Sequence, residues 1–182
     1  MEIAATMQDS TRQHFGELLE RHRGIVFKVA YSYCPHPDDR ADLVQEIAAQ
    51  LWRAFPGYDA ERSFSTWMYR IALNVAISSL RNSRRRDLHS VPLDESLDDV
   101  PGDEGDHETA EQLRLLRRYI ARQDPLNRAL LLLYLEDRSH REIAEILGIS
   151  EGNVATKISR LKQRIRDDLS KGNDDGHHHG TR

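Results

Sequence analysis

Apolar residues recur along this chain at helical spacing, and no stretch alternates apolar and polar positions as a half-buried strand would. Phe15, Leu18 and Leu19, followed by Ile25, Val26, Val29 and Ala30, mark a helix or a helical pair. The stretch CPHPDD (Cys34 to Asp39), with two prolines, breaks it. Leu43, Ile47, Leu51 and Phe55 then repeat every four residues, and FPGYD (Phe55 to Asp59) closes that second element. A third helix is predicted from Phe64 to Arg81, with Trp67, Ile71, Val75 or Asn74, and Ser78 sharing a side. Three or four more follow: Leu113 to Arg122, Pro125 to Leu135, Ser139 to Leu147 and Glu151 to Leu169. The expected class is all-α, without internal repeats.

Charge divides this helical chain. From Asp87 to Glu111 there are ten Asp or Glu and no Lys or Arg, with two prolines and two glycines among them. Such a composition buries little apolar surface and reads as a flexible acidic linker. The expected organisation is therefore two small helical domains, 10–86 and 109–170, joined by a linker at 87–108 and followed by a disordered tail at 171–182. The net charge of -4 conceals this segregation. No apolar run approaches the roughly 20 residues that span a bilayer, and the N-terminus lacks the basic start and apolar stretch of an export signal. A single cysteine, Cys34, allows no internal disulfide and suits a reducing cytoplasm. Three adjacent histidines, His177 to His179, lack the partner spacing of a structural metal site. No metal or cofactor is expected.

The stretch SHREIAEILGISEGNVATKISRLKQRIR (Ser139 to Arg166) contains the clearest local chemistry. Ser139 and Glu142 form a capping box, in which each side chain accepts from a backbone N–H that the first helical turn leaves unpaired. Gly148 suits the left-handed residue that ends a helix, and Ser150 caps the next. Two helices joined by a short Gly-containing turn are the signature of a helix-turn-helix. On the second helix Val154, Ile158, Leu161, Ile165 and Leu169 form an inward stripe. The outer side carries Gly152, Asn153, Thr156, Ser159, Arg160 and Gln163, flanked by Lys157 and Arg164 on one side and by Lys162 and Arg166 on the other. Small hydrogen-bonding residues beside cations suit a helix that reads base edges in a major groove while its cations hold phosphates. The plain alternative is a solvated charged face.

The remaining motifs gain meaning by comparison. DLVQEIAAQLWRAF (Asp42 to Phe55) and FSTWMYRIALNVAISSLR (Phe64 to Arg81), then an acidic segment and this helix-turn-helix, resemble a bacterial RNA polymerase sigma factor of the extracytoplasmic-function (ECF) group. That group keeps the second and fourth conserved regions, and the resemblance runs from about Phe15 to Leu169. It implies two partners, core RNA polymerase and promoter DNA, with an anti-sigma factor as a further candidate and no membrane insertion. Asp39, Asp42, Gln45 and Glu46 become the candidate contact with the polymerase clamp helices. For Asp38 and Asp39 the competing reading is charge complementing a helix N-terminus, at about 0.3–1 kcal/mol each.

The same resemblance makes Tyr58, Trp67, Tyr69, Arg70 and Asn74 candidates for holding the melted minus-ten strand. Such work needs π faces, hydrogen bonds to an extruded base and cations. Asn74 matches a position that helps hold that base, and the loop Tyr58 to Ser63 matches the rest of its pocket. Trp67 reads equally as core or stacking platform, and Phe64 more as core. Arg81, Arg84, Arg85 and Arg86 would follow duplex phosphates. Asn153, Thr156, Lys157, Ser159, Arg160 and Arg164 would meet the minus-thirty-five element. Ala155 stands where many members carry Lys or Arg, and Gln123-Asp124-Pro125-Leu126 replaces the usual Leu-Pro.

The expectation is a cytoplasmic, non-enzymatic sigma factor. The rival from another class is a stand-alone helix-turn-helix regulator with an N-terminal sensing or dimerisation domain. An enzyme is disfavoured, because no phosphate-binding Gly loop, metal-ligand pair or nucleophile beside a base occurs.

Overall fold

The structure, a computed structural model, describes the backbone of residues 2–87 and 119–174, and side chains over 10–82 and 119–168. The chain divides into two compact units, Met1–Arg122 and Gln123–Arg182. Most of the expected linker, most of the helix expected over Leu113 to Arg122 and 175–182 of the expected tail lie outside the described residues, whereas 171–174, expected in that disordered tail, are helical. Only 119–122 of that helix is described, and it is helical. Every regular element among the described residues is a helix.

In the first unit α1 spans Glu2–Tyr33, α2 Pro37–Ala54 and α3 Phe64–Asp87, with a 3-10 turn at Phe55–Gly57 between the last two. The segment read as a helix or a helical pair is thus one helix of 32 residues. Cys34-Pro35-His36 does break the chain, and Pro37 opens α2 where its missing N–H leaves no bond unmade. Arg40 fastens this corner. Its Nε donates to the Cys34 carbonyl at 3.1 Å, and its guanidinium lies 4.0 Å from the centre of the Tyr31 ring.

The three helices pack pairwise on one another. Val29 and Ala30 of α1, Ile47 and Leu51 of α2, and Met68, Ala72, Leu73 and Ala76 of α3 are all buried. The buried side of α3 therefore differs from the expected one. Trp67, Ile71 and Val75 are half-buried and Ser78 is exposed, while Met68, Tyr69, Ala72, Leu73 and Ala76 fill the core. Apolar residues occur around most of this helix's circumference, so their spacing alone does not fix which side faces inward.

In the second unit α4 spans Pro125–Leu135, α5 His140–Leu147 and α6 Glu151–Asp174. Asp124 caps α4 by accepting from Leu126 N and Asn127 N at 3.1 and 3.0 Å. Ser139 and Glu142 complete the expected capping box on α5. Gly148 ends it at φ 68°, where a side chain would be strained, and its N–H donates to Ala144 O at 2.9 Å. Ser150 Oγ accepts from Asn153 N at 3.3 Å and starts α6. The stripe Val154, Ile158 and Leu161 packs inward, and α6 rests on both α4, with Leu130 and Leu133, and α5, with Ile143 and Ile146. Lys162 adds a second tie to α4, its ammonium 4.5 Å from the Tyr134 ring centre.

Candidate nucleic-acid and polymerase interfaces

Helix α3 carries an exposed stripe directly opposite its buried side. At 100° per residue Trp67, Arg70, Asn74, Ser78 and Arg81 fall within roughly 80° of one another. Trp67 is half-buried and the other four are exposed. From Trp67 to Arg81 the stripe runs about 21 Å, at 1.5 Å per residue. Arg84, Arg85 and Arg86 continue the helix, and their side chains lie outside the described residues.

Tyr69 is the correction to this set. It points to the opposite side of α3 and is 1% exposed, so its ring face has no access to a base. Burial makes it a core residue.

The N-terminal end of the stripe meets an aromatic cluster. Tyr58 stacks on Phe55, with ring centres 6.0 Å apart and planes 17° apart, and lies 5.1 Å from Trp67 and 5.2 Å from Phe64. Phe64 is buried, and Phe15 of α1 supports Phe55 from 5.0 Å in an edge-on arrangement. Trp67 touches Phe55, Tyr58 and Phe64 on one side and is partly exposed on the other, a placement compatible with both readings of it.

The loop 58–63 is held in shape from within. Tyr58 Oη donates to Arg62 O at 2.7 Å, Glu61 N donates to Asp59 Oδ1 at 3.0 Å, and Arg62 pairs with Asp59 at 3.7 Å. Partial burial, reinforced by the Asp59 carboxylate, pushes the Tyr58 phenol above its ordinary range, so the hydroxyl stays protonated and donating. Tyr58 is consequently a clamp on the loop as well as a ring beside Trp67. The sequence carried a partial signal for the cluster, since aromatics fall at Phe55, Tyr58, Phe64 and Trp67, but spacing alone does not reveal that Phe15 joins them.

The second face is on α6. Taking Asn153 as zero, Thr156, Lys157, Arg160 and Arg164 lie within roughly 100° of one another, and the buried Val154, Ile158 and Leu161 lie at about 80–140°, beyond Lys157. Asn153, Thr156, Arg160 and Arg164 are exposed and Lys157 is half-buried; Ser159, also exposed, lies about 60° further round from Thr156. Two residues of the flanks are already engaged. Lys162 sits over Tyr134, and Arg166 donates to Gln163 Oε1 at 3.2 Å while Gln163 donates to Asp167 at 2.8 Å.

On α2, Asp39, Asp42, Gln45 and Glu46 are all exposed, and Leu43, Ile47 and Leu51 are buried on the other side. Glu46 accepts from Gln50 at 3.0 Å and stands 3.8 Å from Arg53. Asp38 and Asp39 occupy the first turn, where they also complement the helix dipole.

The first unit thus has three helices with an acidic face on α2 and an aromatic-basic stripe on α3, and the second is built as a helix-turn-helix. Residues 18–86 match the family Sigma-70 region 2, and residues 113–165 match the family Sigma-70, region 4. The chain belongs to the sigma-70 family, in its ECF group. This sigma factor is 29% identical over 172 residues to ECF sigma factor SigE of Mycolicibacterium smegmatis, a match covering 92% of this chain and 66% of that protein. It is 28% identical to the ECF sigma-E factor of Haemophilus influenzae, covering 92% of this chain and 93% of the relative. Among solved structures, sigma factor RpoE of Bartonella quintana, in complex with the anti-sigma factor NepR, has a TM-score of 0.73 at 20% identity, over 87% of this chain and 98% of that one. That likeness shows the fold. As a sigma factor the chain serves the initiation of transcription by RNA polymerase. No described helix is long and apolar enough to cross a membrane.

Proposed function

We propose that this sigma factor docks on core RNA polymerase through the acidic face of α2, reads the upstream promoter element with α6 and holds the melted minus-ten strand along α3. Asp39, Asp42, Gln45 and Glu46 supply the first contact. Asn153, Thr156, Ser159 and Arg160 meet base edges, while Lys157 and Arg164 meet phosphates. Trp67 offers a stacking surface, Asn74 holds an extruded base, Tyr58 orders the loop that completes that pocket, and Arg70, Arg81 and Arg84 to Arg86 follow the backbone. The protein works in the cytoplasm, where the polymerase is, and the polymerase carries out the catalysis. An anti-sigma factor is proposed as a regulatory partner, in line with the Bartonella relative solved in complex with one.

The observation that carries this reading is the exposed stripe of α3. A helix-turn-helix is shared by many DNA-binding regulators, whereas an ordered row of Trp67, Arg70, Asn74 and Arg81 is suited to single-stranded DNA, which a stand-alone regulator has no need to bind. Run-off transcription with purified bacterial core polymerase on genomic fragments tests it. Promoter-specific transcripts are expected only when both components are present. Failure of the chain to associate with core polymerase, in the absence of any anti-sigma factor, overturns the proposal.

A further inference from the structure

The reading face of α6 contains one side chain whose hydroxyl is bonded back to its own helix. Thr156 is exposed, yet its Oγ1 donates to the carbonyl of Gly152 one turn back, at 2.9 Å. A threonine hydroxyl has one proton. With that proton committed to the helix, the side chain presents its γ-methyl, and its oxygen remains only as an acceptor. The surroundings favour the methyl as the recognising group. Gly152, the residue one turn nearer the helix start, is exposed and brings no side chain into the space beside Thr156, and a Cβ built there meets nothing within 4 Å. The fold therefore does not require glycine at this position, and the space beside it is open. Asn153 and Arg160 flank Thr156, within roughly 60° around the helix.

In the major groove the base edges offer donors and acceptors, and a single apolar feature, the 5-methyl of thymine. Asn and Arg pair best with adenine and guanine, so a methyl between them completes a set of three chemically distinct readers. We propose that Thr156 is a specificity-determining residue that selects thymine in the upstream element through methyl-to-methyl contact, with its hydroxyl held in reserve by Gly152. This inference rests on α6 being the promoter-reading helix.

The test uses holoenzyme, reconstituted from the full chain and core polymerase, on upstream elements selected from a randomised pool. Each selected thymine is replaced in turn by deoxyuridine, which lacks only the methyl. At one position the replacement should weaken binding roughly fourfold, the factor that burying one methyl's apolar surface carries. Thr156→Ser, which keeps the hydroxyl and loses the methyl, should abolish the difference between thymine and deoxyuridine at that position. Thr156→Val, which keeps the methyl shape and loses the hydroxyl, should preserve it. If Thr156→Ser still distinguishes the two bases, or if Thr156→Val loses the preference, the assignment of methyl reading to the Thr156 methyl is overturned. If no upstream sequence is selected at all, the promoter-reading role of α6 fails, and this inference fails with it. Selection of an element in which every thymine tolerates deoxyuridine leaves that role standing and removes only the inference.

Discussion

Replacing Ser139 by Ala removes the hydroxyl that closes the start of α5, and the structure sets the size of the effect. Ser139 Oγ accepts from Glu142 N at 3.2 Å and donates to Glu142 Oε2 at 2.8 Å; the same carboxylate oxygen accepts from Ser139 N at 2.9 Å. Alanine keeps the last bond and loses the other two. Loss of a serine N-cap costs about 1 kcal/mol, within a range of roughly 0.5–2. In a unit of some 60 residues, Gln123–Arg182, that amounts to a fall in melting temperature of about 4–8 °C.

The chain provides its own internal control. Both tryptophans, Trp52 and Trp67, belong to the first unit, so tryptophan fluorescence reports that unit's melting and is blind to α4, α5 and α6. Far-ultraviolet circular dichroism records the helices of both. Ser139→Ala should lower the part of the dichroism transition that fluorescence does not follow, and leave the fluorescence midpoint unchanged. Glu142→Gln should cost part of the same interaction, and the double variant should lose less than the two single losses added, because both residues belong to one box. An unchanged dichroism curve, or a fluorescence midpoint that falls equally, would refute the assignment of the effect to a local cap.

The Glu142 carboxyl is held below its ordinary 4.5 first by the backbone N–H of Ser139, then by the Ser139 hydroxyl and by Arg138 at 3.0 Å. Its stabilising contribution is therefore present above the unfolded value and lost as pH falls through the folded one. Dichroism melts of the second unit should weaken more steeply below about pH 4.5 in the wild type than in Glu142→Gln, and parallel curves would remove this carboxyl from the acid response. Tyr69→Ala should destabilise the first unit by about 3–5 kcal/mol, the cost of an emptied aromatic site, read as a lowered fluorescence midpoint, whereas Tyr69→Phe should form open complexes normally. A selective opening defect in Tyr69→Phe would return Tyr69 to the DNA-contacting set. Asn74→Ala should impair open-complex formation, read by permanganate reactivity of unpaired thymines, more than core-polymerase association; the reverse order would make Asn74 structural. Arg160→Ala should weaken selective binding to the upstream element by about 1–3 kcal/mol, and an equal loss on all sequences would reassign it to a phosphate.

The parts of the fold legible in the sequence are those decided by local chemistry. Asp124 before Pro125, the pair Ser139 and Glu142, and Gly148 each satisfy or end a helix by bonds within a few residues, and the observed limits of α4 and α5 follow them. The length of α1 was less legible. Gly16 and Gly24 each weaken a helix interior by about 1 kcal/mol against alanine, and packing of Phe15, Ile25, Val26, Val29 and Ala30 overrides that cost. Contacts between distant residues left little trace: nothing in the spacing of Lys162 points to Tyr134, and nothing in that of Arg40 points to Tyr31.

On helix α3 the polar positions fix the inward side better than the apolar spacing does. Trp67, Met68, Tyr69, Ile71, Ala72, Leu73, Val75, Ala76 and Ile77 place apolar groups around most of the circumference, so any of several stripes serves as a core on hydrophobic grounds alone. The polar residues are less permissive. Arg70, Asn74, Ser78 and Arg81 cannot be buried without partners, and at 100° per residue they share one side of the helix. The direction opposite their mean lies among Met68, Tyr69, Ala72, Leu73 and Ala76, the residues that the structure buries. On a helix this rich in apolar side chains, the phase is set by the positions that must stay in water. The same positions are those proposed to meet DNA, so the constraint that orients α3 in the fold also presents its binding face.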